Sequence, residues 1–211
     1  VVEGEASVVE RRYGERCQGN WTCITSTPAS GSGGDIDRGV LTLITYPYIV
    51  GPPFVEAIEQ RGGWAAVDAL YDEYPTSTEQ VSTPSLYPDE NPVNVSVPDS
   101  SSDEWERFDT DPVADTVGQA SIQVMLWMND AGSGGYTGPA SEGWGGDSLV
   151  PYRNGDEFGY VWQLAWDTEE DAREFRTAYL DALSEHDAST RGDGVYVVPE
   201  SDAFGDAFRV T

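Results

Sequence analysis

The chain has 211 residues, with 38 acidic side chains against 11 basic ones and a formal net charge of −27. A chain this acidic repels a phosphate backbone, whose affinity comes from Lys and Arg, so nucleic acid is excluded as a partner. With 38% hydrophobic residues and seven Trp there is still enough apolar surface for a core, and the charge is not the mark of disorder.

From Val2 to about Arg16 the apolar residues Val2, Ala6, Val9 and Tyr13 recur at helical spacing, which predicts a helix with that stripe buried. Thr25 to Gly34 is a Ser/Thr/Gly/Pro-rich loop. Val40 to Tyr48 is apolar and reads either as a helix entered through Asp37 or as an extended segment broken by proline. Pro53 to Gln60 reads as a short helix stopped by Gly62-Gly63, and Trp64 to Tyr74 as another, with Trp64, Val67, Leu70 and Tyr71 on one face.

Pro75 to Ser102 carries five prolines and reads as a wrapped loop or a short strand pair around Val93, Val95 and Val97. A helix is expected from Asp111 or Pro112 to about Asn129, followed by a glycine-rich loop from Gly132 to Gly146. Tyr160–Trp166 alternates like a strand, Thr168–His186 is an amphipathic helix, and Val195–Val198 and Ala207–Val210 read as two more strands. The fold class expected is α+β: a mainly helical, loop-rich portion over residues 1–150, and a β-α-β-β accessory unit over 151–211 packed on it.

All eleven basic residues are arginine. Self-repulsion at this charge is relieved only where salt screens it, with a Debye length of about 3 Å at 1 M, so the composition points to a halophile and to salt-dependent stability. The uncharged apolar stretch of the first half, Gly39 to Val55, holds three prolines and does not read as a transmembrane helix. Both ends read as cut, the chain opening inside a helix without Met and closing inside a strand.

Cys17 and Cys23 flank the glycosylation acceptor Asn20-Trp21-Thr22, and Asn94-Val95-Ser96 is a second acceptor. A Cys17–Cys23 disulfide, closing a loop that contributes about 2 kcal/mol on the chain-entropy model, and glycans at Asn20 and Asn94 fit an extracellular or cell-surface protein. The two cysteines have no histidine beside them, which leaves a zinc site half made.

Val2-Glu3-Gly4-Glu5-Ala6, Gly62-Gly63-Trp64 through Ser77-Thr78-Glu79-Gln80, Gly143-Trp144-Gly145-Gly146-Asp147, and Trp166-Asp167-Thr168 with Asp171-Ala172-Arg173-Glu174-Phe175 occur here in this order. The set resembles the C-terminal part of zinc metallopeptidases of the gluzincin type, in the acidic version found in a haloarchaeal cell-surface protein family. The resemblance implies a zincin C-terminal-subdomain-like scaffold over the helical portion, with Glu3 as the third zinc ligand. Two histidines and a general base would come from a His-Glu-x-x-His helix.

That helix is absent: the sole histidine is His186, near the end of a predicted helix, where it reads as a dipole-complementing surface residue. Zinc is therefore expected only together with a missing N-terminal portion of the same precursor, and the chain alone is not catalytic. Ser7, four residues after Glu3, also departs from the Asp that orients a ligand histidine in some members of the group.

Trp144 and Asp147, beside Gly143, Gly145 and Gly146, read as a cleft loop that approaches a ligand or, preferably, as an anchor on the core. No nucleotide-binding glycine pattern and no Ser-His-Asp set is present. Two functions remain. One is the C-terminal part of a secreted, metallopeptidase-like surface protein, and the other is a non-catalytic module that binds the cell envelope.

Overall fold

The computed structural model describes residues 1–17, 22–24, 36–132 and 134–211. Helices dominate its first part and strands its last, so the fold is α+β. Two compact units form, Val1–Glu90 and Asn91–Thr211. The boundary expected at 150/151 falls inside a strand, described below as β2.

The first unit is helical. Helix α1 spans Val2–Cys17 and α2 spans Arg38–Gly62, followed by the short α3 (Trp64–Ala69) and α4 (Thr78–Ser82). The α1 stripe expected to be buried faces outward instead: Val2, Ala6, Val9 and Tyr13 are exposed, and the buried residues are Gly4 and Val8. The cause is the small side of α1. At Gly4 the backbone lies so close to Gly51 of α2 that an added Cβ would stand 2.5 Å from the Gly51 carbonyl carbon.

A second difference lies in α2, which is one helix of 25 residues rather than two short segments. Asp37 caps it, its carboxylate accepting from the Gly39 and Val40 amides at 2.8 and 3.1 Å. Pro47, Pro52 and Pro53 each remove an internal bond. Burial of Phe54, Val55 and Ile58 against Val8, Val67 and Leu70, about 1.5–3 kcal/mol per side chain, offsets that loss. Gly63, at φ 68°, ends the helix by donating its N–H to the Glu59 carbonyl.

In the second unit β1 (Glu106–Arg107), β2 (Trp144–Asn154) and β3 (Glu157–Trp166) form an antiparallel sheet in that order. Helices α5 (Gly118–Met128) and α6 (Glu169–Glu185) accompany it. Strands β4 (Ser189–Gly192), β5 (Val195–Val197) and β6 (Ala207–Arg209) make a second antiparallel sheet. The tail expected as strand–helix–strand–strand has one strand more, β4, after α6, and β3 pairs with β2 and not with the strands after α6.

Strand β2 was hidden in the glycine-rich stretch because it is buried on both faces over much of its length and shows no alternation. Helix α5 starts at Gly118 rather than Asp111 or Pro112. The Asp115 backbone instead exchanges hydrogen bonds with Leu149 of β2 at 2.9 and 2.8 Å, which a helical residue could not do. Of the two readings of the stretch around Val93, wrapped loop or strand pair, the structure has the loop, an extended segment held by the Val93 amide on the Gly145 carbonyl at 2.7 Å. Ile122, Leu126, Trp144, Phe175 and Ala182 form the main core of this unit.

Candidate functional site

Each motif that suggested chemistry can be traced to its contacts. Glu3 is exposed on α1, and its carboxylate accepts a hydrogen bond from the Tyr48 hydroxyl, which holds that phenol above its ordinary range. Glu5, one step on, takes the Tyr71 hydroxyl in the same way and pushes it up to about 12. Gly4 between them is the point of closest approach to α2. Two turns further along, Arg12 grips Glu59 with both guanidinium nitrogens, Nη1 to Oε1 at 2.8 Å, and lies over the Trp64 ring. Among the described residues no three metal-ligating side chains converge, at Glu3 or elsewhere.

The Ser77-Thr78-Glu79-Gln80 segment is a helix start. Ser77 Oγ accepts from the Gln80 amide at 3.1 Å, and the fully buried Gln80 side chain accepts from the Thr76 amide at 2.7 Å and donates to the Glu90 carbonyl.

The Gly-Trp-Gly-Gly-Asp stretch is where three pieces of the second unit meet. Trp144 is 4% exposed, so it anchors the strand in the core rather than lining an open loop. Its indole N–H donates to Asp147 Oδ2 at 2.9 Å. The same buried carboxylate accepts from the Val117 and Gly118 amides, both at 2.8 Å, and thereby caps α5 from another element. Gly146, at φ 149°, has the Val93 carbonyl where a Cβ would stand, at 2.6 Å. The Gly143 carbonyl accepts from the Asp167 amide at 2.9 Å. Next to it, Thr168 and Asp171 cap α6 reciprocally. Ser141, with Gln119 and Gln123 of α5, completes a buried polar chain at 2.8 to 3.1 Å.

His186 is not the surface residue expected. It is the C-cap of α6 with its ring bonded on both sides, Nδ1 to Asp202 at 3.0 Å and Nε2 to Asn129 Oδ1 at 2.6 Å, and Phe204 packs edge-on against it. Asp202, held also by the Phe204 amide, lies below the ordinary carboxylate range. Sequence reasoning missed Asn129 and Asp202, which are 57 and 16 residues from His186 and share no pattern with it.

Cys17 and Cys23 are joined by a disulfide with Cα atoms 5.6 Å apart. Asn94 is exposed, and Asn20 lies outside the described residues. No described helix is long and apolar enough to cross a membrane.

The second unit, with its paired antiparallel sheets and its glycine-rich β2 entrance, is the part that has recognised relatives. Residues 106–211 match the family described as a domain of unknown function, DUF8575, and with half of its length matched the chain belongs to that family. No curated protein and no solved structure matches it.

Proposed function

We propose that the chain is the C-terminal portion of an extracellular surface protein of a halophile and that it acts by binding at the cell envelope rather than by chemistry. One observation carries this reading. Six polar side chains that the motifs and His186 offered for chemistry are tied into the fold. Glu3 and Glu5 hold tyrosines, Gln80 holds a helix start, Asp147 and Asp171 cap helices, and His186 bridges Asn129 and Asp202. The disulfide and the exposed Asn94 acceptor support the extracellular placement, and the absence of lysine with a charge of −27 supports the salt habitat.

The peptidase-like reading keeps one specific support, the place of Glu3 in the motif that resembles a zinc-ligand segment. Here the carboxylate would have to leave Tyr48 to take a metal, and the two histidines would come from an N-terminal half of the same precursor. Titration of the purified chain with Zn²⁺ in molar KCl, with and without Glu3→Gln, decides between the readings. No heat of binding, no peptide hydrolysis and no co-purifying chain with paired histidines is expected. Stoichiometric zinc that is lost in the variant overturns the binding reading. In the same buffer series the melting temperature is expected to rise steadily from about 0.1 M to 2 M KCl as the Debye length falls from about 10 Å to about 2 Å.

A further inference from the structure

The β2–β3 pair is covered along one edge and open along the other. On the β2 side the Val93 amide takes the Gly145 carbonyl at 2.7 Å, Asp115 and Leu149 exchange bonds at 2.9 and 2.8 Å, and the Phe108 amide takes the Pro151 carbonyl at 3.2 Å. Successive residues of a strand turn their main-chain groups to alternate edges. Leu149 and Pro151 turn theirs away from β3, so the residues opposite them, Trp162 and Tyr160, turn theirs away from β2. Phe158 and Leu164, two residues to either side, do the same. Among the described residues none hydrogen-bonds to these outward amides and carbonyls.

Such an edge is a template for a further strand, and proteins ordinarily blunt it by shortness, by Lys or Pro, by a bulge or by a covering element. Strands β1 and β6 are blunted by length, at two and three residues. Strand β3 is ten residues long and has no Pro, and the register shift of the pair falls on β2, between Trp144 and Gly146. From Phe158 to Trp166 it carries no charged side chain. Three large side chains stand open on its two faces, Phe158 at 68%, Tyr160 at 47% and Val161 at 36% exposed.

A row of unpaired amides and carbonyls fixes the kind of partner, an extended chain lying alongside β3. A second copy of β3 fits it. Placed antiparallel about a twofold axis at Val161, it sets Val161 opposite its own copy, Tyr160 opposite Trp162 and Phe158 opposite Leu164. Aromatic and β-branched pairs of this kind stabilise a sheet. Each of the four outward residues then makes two bonds, about eight in all, against roughly ten in an ordinary interface. This register also puts Glu157 opposite Ala165 and Asp167 opposite Gly155, so no carboxylate directly faces another. Of the neighbouring registers, the one centred on Trp162 sets Glu157 opposite Asp167, which like charge disfavours, and the one centred on Tyr160 leaves Leu164 opposite the turn at Asp156.

We infer that two copies of the chain join edge to edge through β3 into one continuous antiparallel sheet, with Val161 at the twofold axis. The patch is the same on both copies, as a symmetric dimer requires. A strand-to-strand contact is smaller than the ~800 Å² per partner of a standard interface, so the association is of the weak, reversible class. It is strongest at molar salt, where the charge of −27 on each copy is screened.

Residue-resolved hydrogen exchange of the whole chain in about 2 M KCl tests this without a substitution. The amides of Phe158, Tyr160, Trp162 and Leu164 are expected to exchange freely at about 1 μM and at least about fivefold more slowly at about 200 μM, a range that fits a micromolar dissociation constant. Those of Gly159, Val161 and Gln163, bonded to β2 in either state, should be protected at both concentrations. Over the same range the weight-average mass from sedimentation equilibrium is expected to climb toward twice the monomer value. Val161→Glu sets two carboxylates face to face at the axis and should keep the chain monomeric, whereas Val113→Glu, at a site of similar exposure, should leave the association unchanged.

Should Val161→Glu lose its circular dichroism, Val161→Cys gives the answer instead. Both native cysteines are in the disulfide, so mild oxidation is expected to join Val161→Cys copies covalently and Val113→Cys copies at least tenfold more slowly. Equal cross-linking of the two variants overturns the inference, as does exchange at the four outward amides that is the same at both concentrations. A wild-type chain that stays monomeric at about 200 μM also overturns it and gives the edge to an extended segment of another polypeptide. The zinc titration above is independent of these outcomes.

Discussion

Asn129 faces His186 with its oxygen and not its amide nitrogen, because the nitrogen is already committed: Nδ2 donates to the Met125 carbonyl at 2.8 Å. The ring thus lies between two oxygens, Asn129 Oδ1 at 2.6 Å on one side and Asp202 Oδ2 at 3.0 Å on the other. This one residue ties the end of α5, the end of α6 and the 202–204 turn together. Replacing His186 by Ala is expected to cost on the order of 1–3 kcal/mol. A double-mutant cycle of His186→Ala with Asn129→Ala, read by urea denaturation, should show a coupling of about 1 kcal/mol, whereas His186→Ala with Ser7→Ala, which shares no hydrogen-bond partner with it, should be additive.

The crossing of Gly4 and Gly51 gives a paired test. A Cβ at Gly4 would sit 2.5 Å from the Gly51 carbonyl carbon, so the two helices must part for Gly4→Ala to fold. The expected cost exceeds 2 kcal/mol, with loss of the buried Val8 packing. Gly14, on the same helix, has nothing within 4 Å of where its Cβ would be. Gly14→Ala should be neutral or stabilise by up to about 1 kcal/mol, since it removes only the entropic penalty of glycine in a helix. Thermal unfolding followed at 222 nm reads both.

Asp147 accepts from two backbone amides and an indole N–H while 6% exposed. Asp147→Asn has nearly the same shape but must turn an NH₂ group toward one of those donors. About 2–4 kcal/mol should be lost, with the α5 amides of Val117 and Gly118 exchanging hydrogen faster than in wild type. If the two amides keep their protection, the carboxylate is not the cap of α5.

Tyr46 supplies a pH dependence. Burial pushes its phenol up to about 12, against an ordinary value near 10. The neutral hydroxyl fits the folded chain, so the contribution is complete below pH 10. It is lost as pH rises from 10 to 12, where the unfolded chain releases a proton that the folded chain keeps. Over that interval wild type should lose about 2–3 kcal/mol more than Tyr46→Phe, measured as the difference between their denaturation midpoints at each pH.

Several of these relationships were out of reach of the sequence, for physical reasons that differ from place to place. The α6 cap at Thr168 and Asp171 and the strands β5 and β6 were legible because their signals are local. The α1 stripe misled because a 3.6-residue period identifies an apolar face without saying whether anything lies against it, and here the glycine side won the packing. Three prolines hid the continuity of α2, since tertiary burial outweighed local propensity. Among the candidate residues, the Cys17–Cys23 pairing followed from spacing, while the helix cap made by Asp147 and the two ring bonds of His186 depend on partners 16 to 57 residues away.

The remote cap of α5 has a bearing on how the chain is made. The carboxylate that satisfies the first amides of α5 comes from residue 147, some 30 positions after the helix begins. During synthesis, Gly118–Met128 leaves the ribosome before its own start signal does. The helix must wait, frayed at its first turn, until β2 has emerged and laid Asp147 against it. Helix α6, whose cap is its own Thr168 and Asp171, closes its N-terminal end from within its own first turn and waits on no element made after it.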